Sequence, residues 1–406
     1  MGSASARASI LRTNDSYPSG NLNRTLQPAR FTIQPPSDLT THELEIWLEK
    51  KLTPVRLRVF NIMKSWMENY VQDDATDLET LHRIKDFALR VMNEPMSFAA
   101  QQLTRLVDKR TASPSALTSS SRRMVLSSNR ESPTPIVPRN LSRIKLLDLD
   151  PLEVARQLTI MEAREYNKIM PVEFLLKAWS EREEGTAVNV RKMIDMSNQI
   201  TGWVARAVLG EKDPKRRAAI VKHFIMVADN CRRLNNFNTL MSILAGLNSA
   251  PIHRLKRTWE LLSARTTGAL EVLRKTMAPS RNFSTYREAL HSANPPCVPF
   301  LGFYLTDLTF IEDGNPSFLK EQGVGGRKLI NFSKRTKTAE VIREVQQYQS
   351  APYALQGVPE IQAWIEGCLG EGGEGGDELY EASLMMEPRE RYDEKIARLL
   401  QESGFL

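Results

Sequence analysis

The chain has 406 residues, 41% of them apolar and 25% charged, with a formal net charge of +7 and three cysteines. That length suits two to three domains with packed cores, and Cys231, Cys297 and Cys368 are too far apart for a CxxC metal or redox motif or a disulfide framework. Residues 1–30 carry +3, residues 101–150 carry +5 and residues 366–406 carry −7, a spread that argues against the aromatic-interleaved basic patch of a nucleic-acid binder.

Residues 1–30 lack hydrophobic periodicity and read as a disordered tail. Residues 31–108 read as a small helical domain. Thr40 and Thr41 are capping residues for a helix carrying Leu44, Ile46, Trp47 and Leu52. Pro54 opens another, with Val59, Ile62, Met63, Trp66 and Tyr70 on one face. Residues 109–143 are rich in Ser, Thr and Pro (ASPSALTSSS, ESPTPIVPR) and read as a linker. The basic tail and linker are either solvated or in contact with an anionic membrane surface.

Helical punctuation is clear from Leu146 onward. Asp150-Pro151-Leu152-Glu153 supplies an N-cap, a proline at the first helical position and a glutamate in the first turn. Asp213-Pro214 repeats the device, and Ile220, Phe224, Val227, Ala228 and Cys231 then fall on one stripe. Val190, Ile194, Ile200, Val204 and Ala207 form a similar face one helix earlier. Long helices also fit residues 235–247, 257–276 and 327–349. Strand-like alternation is scarce, so the fold expected is all-α: a small N-terminal helical domain, a linker and a large helical catalytic domain over 144–395 with a protruding helical hairpin. The Gly-rich run near 370–376 reads as a flexible insertion.

The hairpin is read from NPPCVPFLGFYLTDLTFIEDGN, residues 294–315. A Pro-rich turn leads into an apolar helix that ends at Glu312-Asp313. Gly314 is placed to stop that helix in a left-handed conformation. Asn315 is placed to cap the next, with Pro316 at its first position. Two carboxylates beside Phe310 and Ile311 at a sharp turn suit a wedge into another protein better than a core helix.

No phosphate-binding GxxxxGK[ST] loop, HExxH or GxSxG occurs, and the five histidines are isolated. Gly-Val-Gly-Gly at 323–326 has no preceding strand pattern and reads as a loop. No cofactor, resident metal or covalent chemistry is expected. The longest uncharged stretch, Ala289 to Thr306, holds three prolines, so no transmembrane segment is expected either. The N-terminus has no apolar signal-peptide core, and a reducing, cytoplasmic location is the expectation.

Four segments occur in order: VARQLTIMEAREYNKIMPVEF (154–174), LNNFNTLMSILAGLNSAPIHRLKRTW (234–259), NPPCVPFLGFYLTDLTFIEDGNP (294–316) and INFSKRTKTAEVIREVQQYQSAPY (330–353). Together they resemble the catalytic domain of Ras-family guanine-nucleotide exchange factors, most closely its fungal and Sos-like members. Residues 41–93 look like the second half of the Ras exchanger motif that precedes that domain. The resemblance implies a Ras-like small GTPase as partner, with membrane association through the lipidated GTPase and no nucleic acid. It implies that a hairpin prises the GTPase's switch 1 away, blocks its magnesium site and offers a carboxylate to its phosphate-binding loop.

Residue by residue, the blocking position falls on Thr309, where Sos-like members carry a larger aliphatic, which shifts weight to Asp307 and Phe310. The carboxylate falls on Asp313, where many members carry Glu, with Glu312 as the alternative. The surface that grips switch 2 falls on Arg156, Thr159, Ala228, Asn235 and Phe300, with Lys337 as a further contact. Competing structural roles stay open: Phe300 as core, Asn235-Asn236 as a helix cap, Arg156 as a solvated side chain and the tip carboxylates as surface decoration. A non-catalytic GTPase-binding scaffold with the same fold is the alternative function.

Overall fold

The computed structural model describes residues 39–71, 75–112, 132–180, 186–323, 326–370, 376–388 and 400–401. The expected tail 1–30, most of the linker and the Gly-rich residues 371–375 lie outside the described residues. The chain divides into two compact units, 1–122 and 123–406.

In the first unit, α1 (Thr41–Trp47) begins with a capping box: the Thr40 hydroxyl accepts from the Glu43 amide and the Glu43 carboxylate accepts from the Thr40 amide. A π-helical turn, Leu48–Leu52, carries it straight into α2 (Thr53–Asn69). Pro54 therefore lies within a continuing helical path, where the sequence suggested a fresh start. α3 (Ala75–Phe87) and α4 (Ser97–Ala112) complete the unit. Met67, Leu81, Ala88 and Leu103 are its buried centre. The α2 stripe is rotated from the expected one: Phe60, Met63, Trp66 and Met67 face the core, while Ile62 and Tyr70 are 69% and 50% exposed.

In the second unit, α5 (Pro151–Tyr166), α6 (Val188–Leu209), α7 (Pro214–Arg233) and α8 (Phe237–Asn248) enclose one core. Asp150 and Asp213 cap α5 and α7 as their sequences require. The α7 stripe Ile220, Phe224, Val227, Ala228 and Cys231 is buried as a set. The long helix expected over 257–276 breaks into α10 (Lys256–Glu260) and α11 (Ala264–Thr276), because Ser263 caps a new start. Short α9 (Ala250–His253) precedes them, and α12 (Ser280–Ser292) leads to α13 (Leu301–Gly314). The strands β1 (Phe318–Gly323) and β2 (Arg327–Ile330) pair antiparallel before α14 (Phe332–Tyr348), α15 (Pro359–Gly370) and α16 (Gly376–Met386). No helix among the described residues is long and apolar enough to cross a membrane.

His223, 7% exposed on α7, has no hydrogen-bond partner at Nε2 among the described residues. Burial lowers its pKa to about 4, with Asp150 pulling weakly the other way. The unfolded chain therefore binds a proton here that the folded chain refuses. Its contribution is intact above the unfolded value of 6.5 and is lost as pH falls toward 4, by about 3 kcal/mol in full. Urea midpoints at pH 7 and pH 4.5 should therefore differ less in His223→Gln than in the parent chain; equal differences would sink this reading.

Candidate functional site

The site is built where four segments meet around the start of α13. Asn235, at φ 57°, turns the chain sharply between α7 and α8, a conformation that asparagine tolerates better than most residues. Its carbonyl accepts from the Val298 amide at 3.0 Å, and the Phe237 amide donates to the Val298 carbonyl at 2.9 Å. That pairing locks LNNFN to CVPF. Asn236 caps α8 through the Thr239 amide and donates to the Thr159 hydroxyl at 3.0 Å.

Beneath it lies a buried polar network. Asn238 donates to Glu162 at 2.9 Å and to the Ser197 hydroxyl at 2.8 Å, and accepts from the Leu301 amide at 3.2 Å. Thr239 also donates to Glu162. Burial raises the Glu162 pKa, opposed by those donors. The first amide of α13 is thereby fixed to the α5–α8 core.

Phe300 stands at the N-terminus of α13, half buried. Its amide donates to the Tyr286 hydroxyl at 2.8 Å, and its ring lies 6.1 Å from Phe283 and 6.5 Å from Tyr286 between centroids. Gly302 lets the ring fold over the helix: a Cβ there would lie 2.7 Å from it. Arg156 is 14% exposed in its side chain and is paired to the buried Glu153 at 3.1 Å. Thr159 and Ala228 are fully buried. They shape the surface from behind, with Thr159 bonded to Ala155 and Asn236. Lys337 is exposed on α14.

The hairpin differs from the expected one. Gly314 ends α13 without a left-handed turn, and Asn315 is extended at φ −132°. The chain then enters β1 at Phe318, so Asn315-Pro316 leads toward a strand instead of capping a helix. Asn331 caps α14, accepting from the Lys334 amide at 3.3 Å. Gly326 supplies the positive φ, 71°, between the strands.

The acidic residues along α13 divide by partner. Asp307 takes a two-pronged bond from Arg287, 3.2 and 3.0 Å, and that guanidinium lies 3.9 Å over the Phe303 ring. Glu312 receives the Lys334 ammonium at 2.6 Å, and Lys334 is 2% exposed. Asp313 is the outermost, 57% exposed, and meets Lys177 at 2.5 Å. Thr309 is half buried, its hydroxyl donating to the Leu305 carbonyl at 2.7 Å. Its neighbour Phe310 is 72% exposed. Lys177, Arg287 and Lys334 escaped sequence reasoning because their partners lie 136, 20 and 22 residues away.

Comparison with known proteins bears on this arrangement. The family model described as RasGEF domain matches residues 153–336, and the RasGEF N-terminal motif matches residues 24–87. The chain is 36% identical over 382 residues to Cell division control protein 25 of Candida albicans, covering 89% of this chain and 27% of that protein. It is 34% identical over 388 residues to the Saccharomyces cerevisiae protein of the same name, covering 89% and 24%. It is 36% identical over 344 residues to Ras guanine nucleotide exchange factor A of Dictyostelium discoideum, covering 82% and 55%. The chain thus spans between a quarter and just over half of these relatives' lengths.

Proposed function

This chain belongs to the RasGEF family, and on that premise we propose that it is a guanine-nucleotide exchange factor for a Ras-like small GTPase. The observation that carries the reading is the braced α13, which holds one carboxylate, Asp313, outermost at its end.

A GTPase that holds nucleotide at picomolar strength does so with about 16 kcal/mol. An exchange factor breaks no covalent bond. It binds the nucleotide-free GTPase tightly, so each ligand weakens the other by the same factor. In the proposed complex, Phe300, Asn235 and Arg156 grip switch 2, and Lys337 adds a contact from α14. The α13 end displaces switch 1, with Asp313 placed to compete with the nucleotide phosphates for the donors of the phosphate-binding loop.

Glu312 is committed to the nearly buried Lys334, so its role is to brace. The Asp313–Lys177 pair is partly exposed at both ends, and such pairs are worth about 0–1 kcal/mol. Asp313 can therefore exchange Lys177 for a GTPase partner at little cost. Phe310, exposed beside Thr309, supplies the bulk that threonine lacks at the magnesium-blocking position. Recruitment to a membrane through a lipidated GTPase, from the cytoplasmic side, follows from the same proposal.

Binding discriminates this reading from the scaffold. An exchange factor should bind nucleotide-free GTPase far more tightly than the GDP-bound form, and added GDP should dissociate the complex. Equal affinity for both forms would establish the scaffold. Phe300→Ala should weaken binding to nucleotide-free GTPase by about 2 kcal/mol, roughly 30-fold, as truncated aromatic anchors do. A wholly core Phe300 would instead cost about 3–5 kcal/mol of stability. A large fall in melting temperature with normal binding by the folded fraction would refute the contact.

A further inference from the structure

Residues 132–138, the end of the Ser/Pro-rich stretch, have no helix or strand, yet they are tied down on the second unit. The Ile136 amide donates to Glu153 Oε2 at 2.9 Å, and Arg156 Nη1 donates to the Thr134 carbonyl at 3.3 Å. Both anchors are on the first turns of α5. Pro133 lines a cleft of about 600 Å³ together with Arg233, Asn235, Pro296 and Tyr353. The segment thus runs beside Arg156 and Asn235, two residues of the proposed gripping surface.

The sequence of this strap is Ser132-Pro133-Thr134-Pro135. A residue before proline is driven to extended or polyproline backbone. That is the shape in which a kinase reads a peptide. Thr134 is exposed. Its carbonyl already lies on the Arg156 guanidinium, so a group added to its hydroxyl would sit within reach of the same cation.

We infer that residues 132–137 are a regulatory strap beside the GTPase-gripping surface and that Thr134 is a phosphoacceptor for a proline-directed protein kinase. The inference of its effect rests on the exchange reading above. The kinase transfers the γ-phosphoryl group of ATP: the Thr134 Oγ1–P bond forms, the bond from γ-phosphorus to the bridging oxygen breaks, ADP leaves with that electron pair, and the hydroxyl proton passes to the kinase's base. The phosphate brings a charge of about −1.5 to −2 and three acceptor oxygens, and an arginine fork is the strongest partner for them. Arg156 turns from the GTPase to the phosphate, and negative charge accumulates along the cleft.

The test treats the full chain with ATP and a purified proline-directed kinase and maps phosphate by mass spectrometry. Phosphate should appear on Thr134; its absence there, including modification of Ser132 alone, overturns the proposal. The phosphate's ionisation, followed by ³¹P NMR, reads the Arg156 contact independently of exchange. Its second pKa should lie below the ordinary value of about 6 and should return to it in Arg156→Gln. An ordinary value in the parent chain overturns the contact. In nucleotide-release assays, phosphorylation should raise KM for the GTPase about tenfold and leave kcat within twofold, and Thr134→Ala should abolish the response. Unchanged kinetics in the phosphorylated chain would overturn the regulatory role. An unphosphorylated chain without any exchange activity would instead overturn the exchange reading, with the phosphate contact still decided by NMR.

Discussion

Lys334→Ala should slow stimulated nucleotide release more than tenfold while most of the chain stays folded. The Lys334 ammonium is 2% exposed and donates to three groups at the end of the hairpin helix. These are the Glu312 carboxylate at 2.6 Å, the Glu312 carbonyl at 3.0 Å and the Ser317 hydroxyl at 3.3 Å. It ties the last turn of α13 to the first turn of α14. Among the described residues, truncation leaves the Glu312 carboxylate, 19% exposed, with only Arg335 at 4.0 Å. Breaking a buried pair by removing one partner costs about 3–5 kcal/mol, and partial exposure of Glu312 reduces that. The loss falls on the α13–α14 contact, which sets where Asp313 points. A misplacement of about 1 Å can cost about a hundredfold in a positioned site, so tenfold is a cautious expectation. Release at the parental rate, with melting unchanged, would show that the brace does not position the tip.

The largest stability effect is expected at Arg217, on the first turn of α7. Arg217 is completely buried. It donates to Thr258 Oγ1 at 3.0 Å, to the Lys212 carbonyl at 2.7 Å and to Glu387 at 3.1 Å. Glu387 also accepts the Arg257 and Thr258 amides. The pair joins the start of α7 to the chain just after α16. Arg217→Met fills much of the volume but removes the cation paired with the buried Glu387, leaving its charge, among the described residues, on the Arg257 and Thr258 donors alone, so a loss of about 3 kcal/mol is expected. Denaturant titration reads it directly. Adding Glu387→Leu should recover part of the loss, because the two residues share one network. Strict additivity of the two changes would contradict the coupling.

The same residues show what the sequence makes legible. The α7 stripe and the two Asp-Pro starts could be read because helical period and capping chemistry are local. The end of the hairpin helix was misread because Asn-Pro is as good an entrance to an extended strand as to a helix. The decision came from pairing with Arg327–Ile330, including Phe318 opposite Ile330, and pairing is not local. The loop expected at 323–326 carries no sign of the strands on either side of it, Phe318–Gly323 and Arg327–Ile330. Thr159 and Ala228 illustrate a second limit. A motif places them near a partner surface, but whether a side chain reaches that surface or supports it depends on neighbours such as Asn236. Lys334 reads in sequence as one more cation at the start of a helix, and only the fold makes it a buried brace.

A braced hairpin helix that drives nucleotide out of a Ras-like GTPase should reveal itself in the rate of nucleotide release. The most direct measurement is the rate at which a fluorescent guanine nucleotide leaves each member of a panel of Ras, Rap and Ral proteins, with excess unlabelled nucleotide, in the presence of the chain. Release should accelerate for at least one member, with Asp313→Asn slowing release more than it weakens binding to the nucleotide-free form. Release rates unchanged across the whole panel would contradict it.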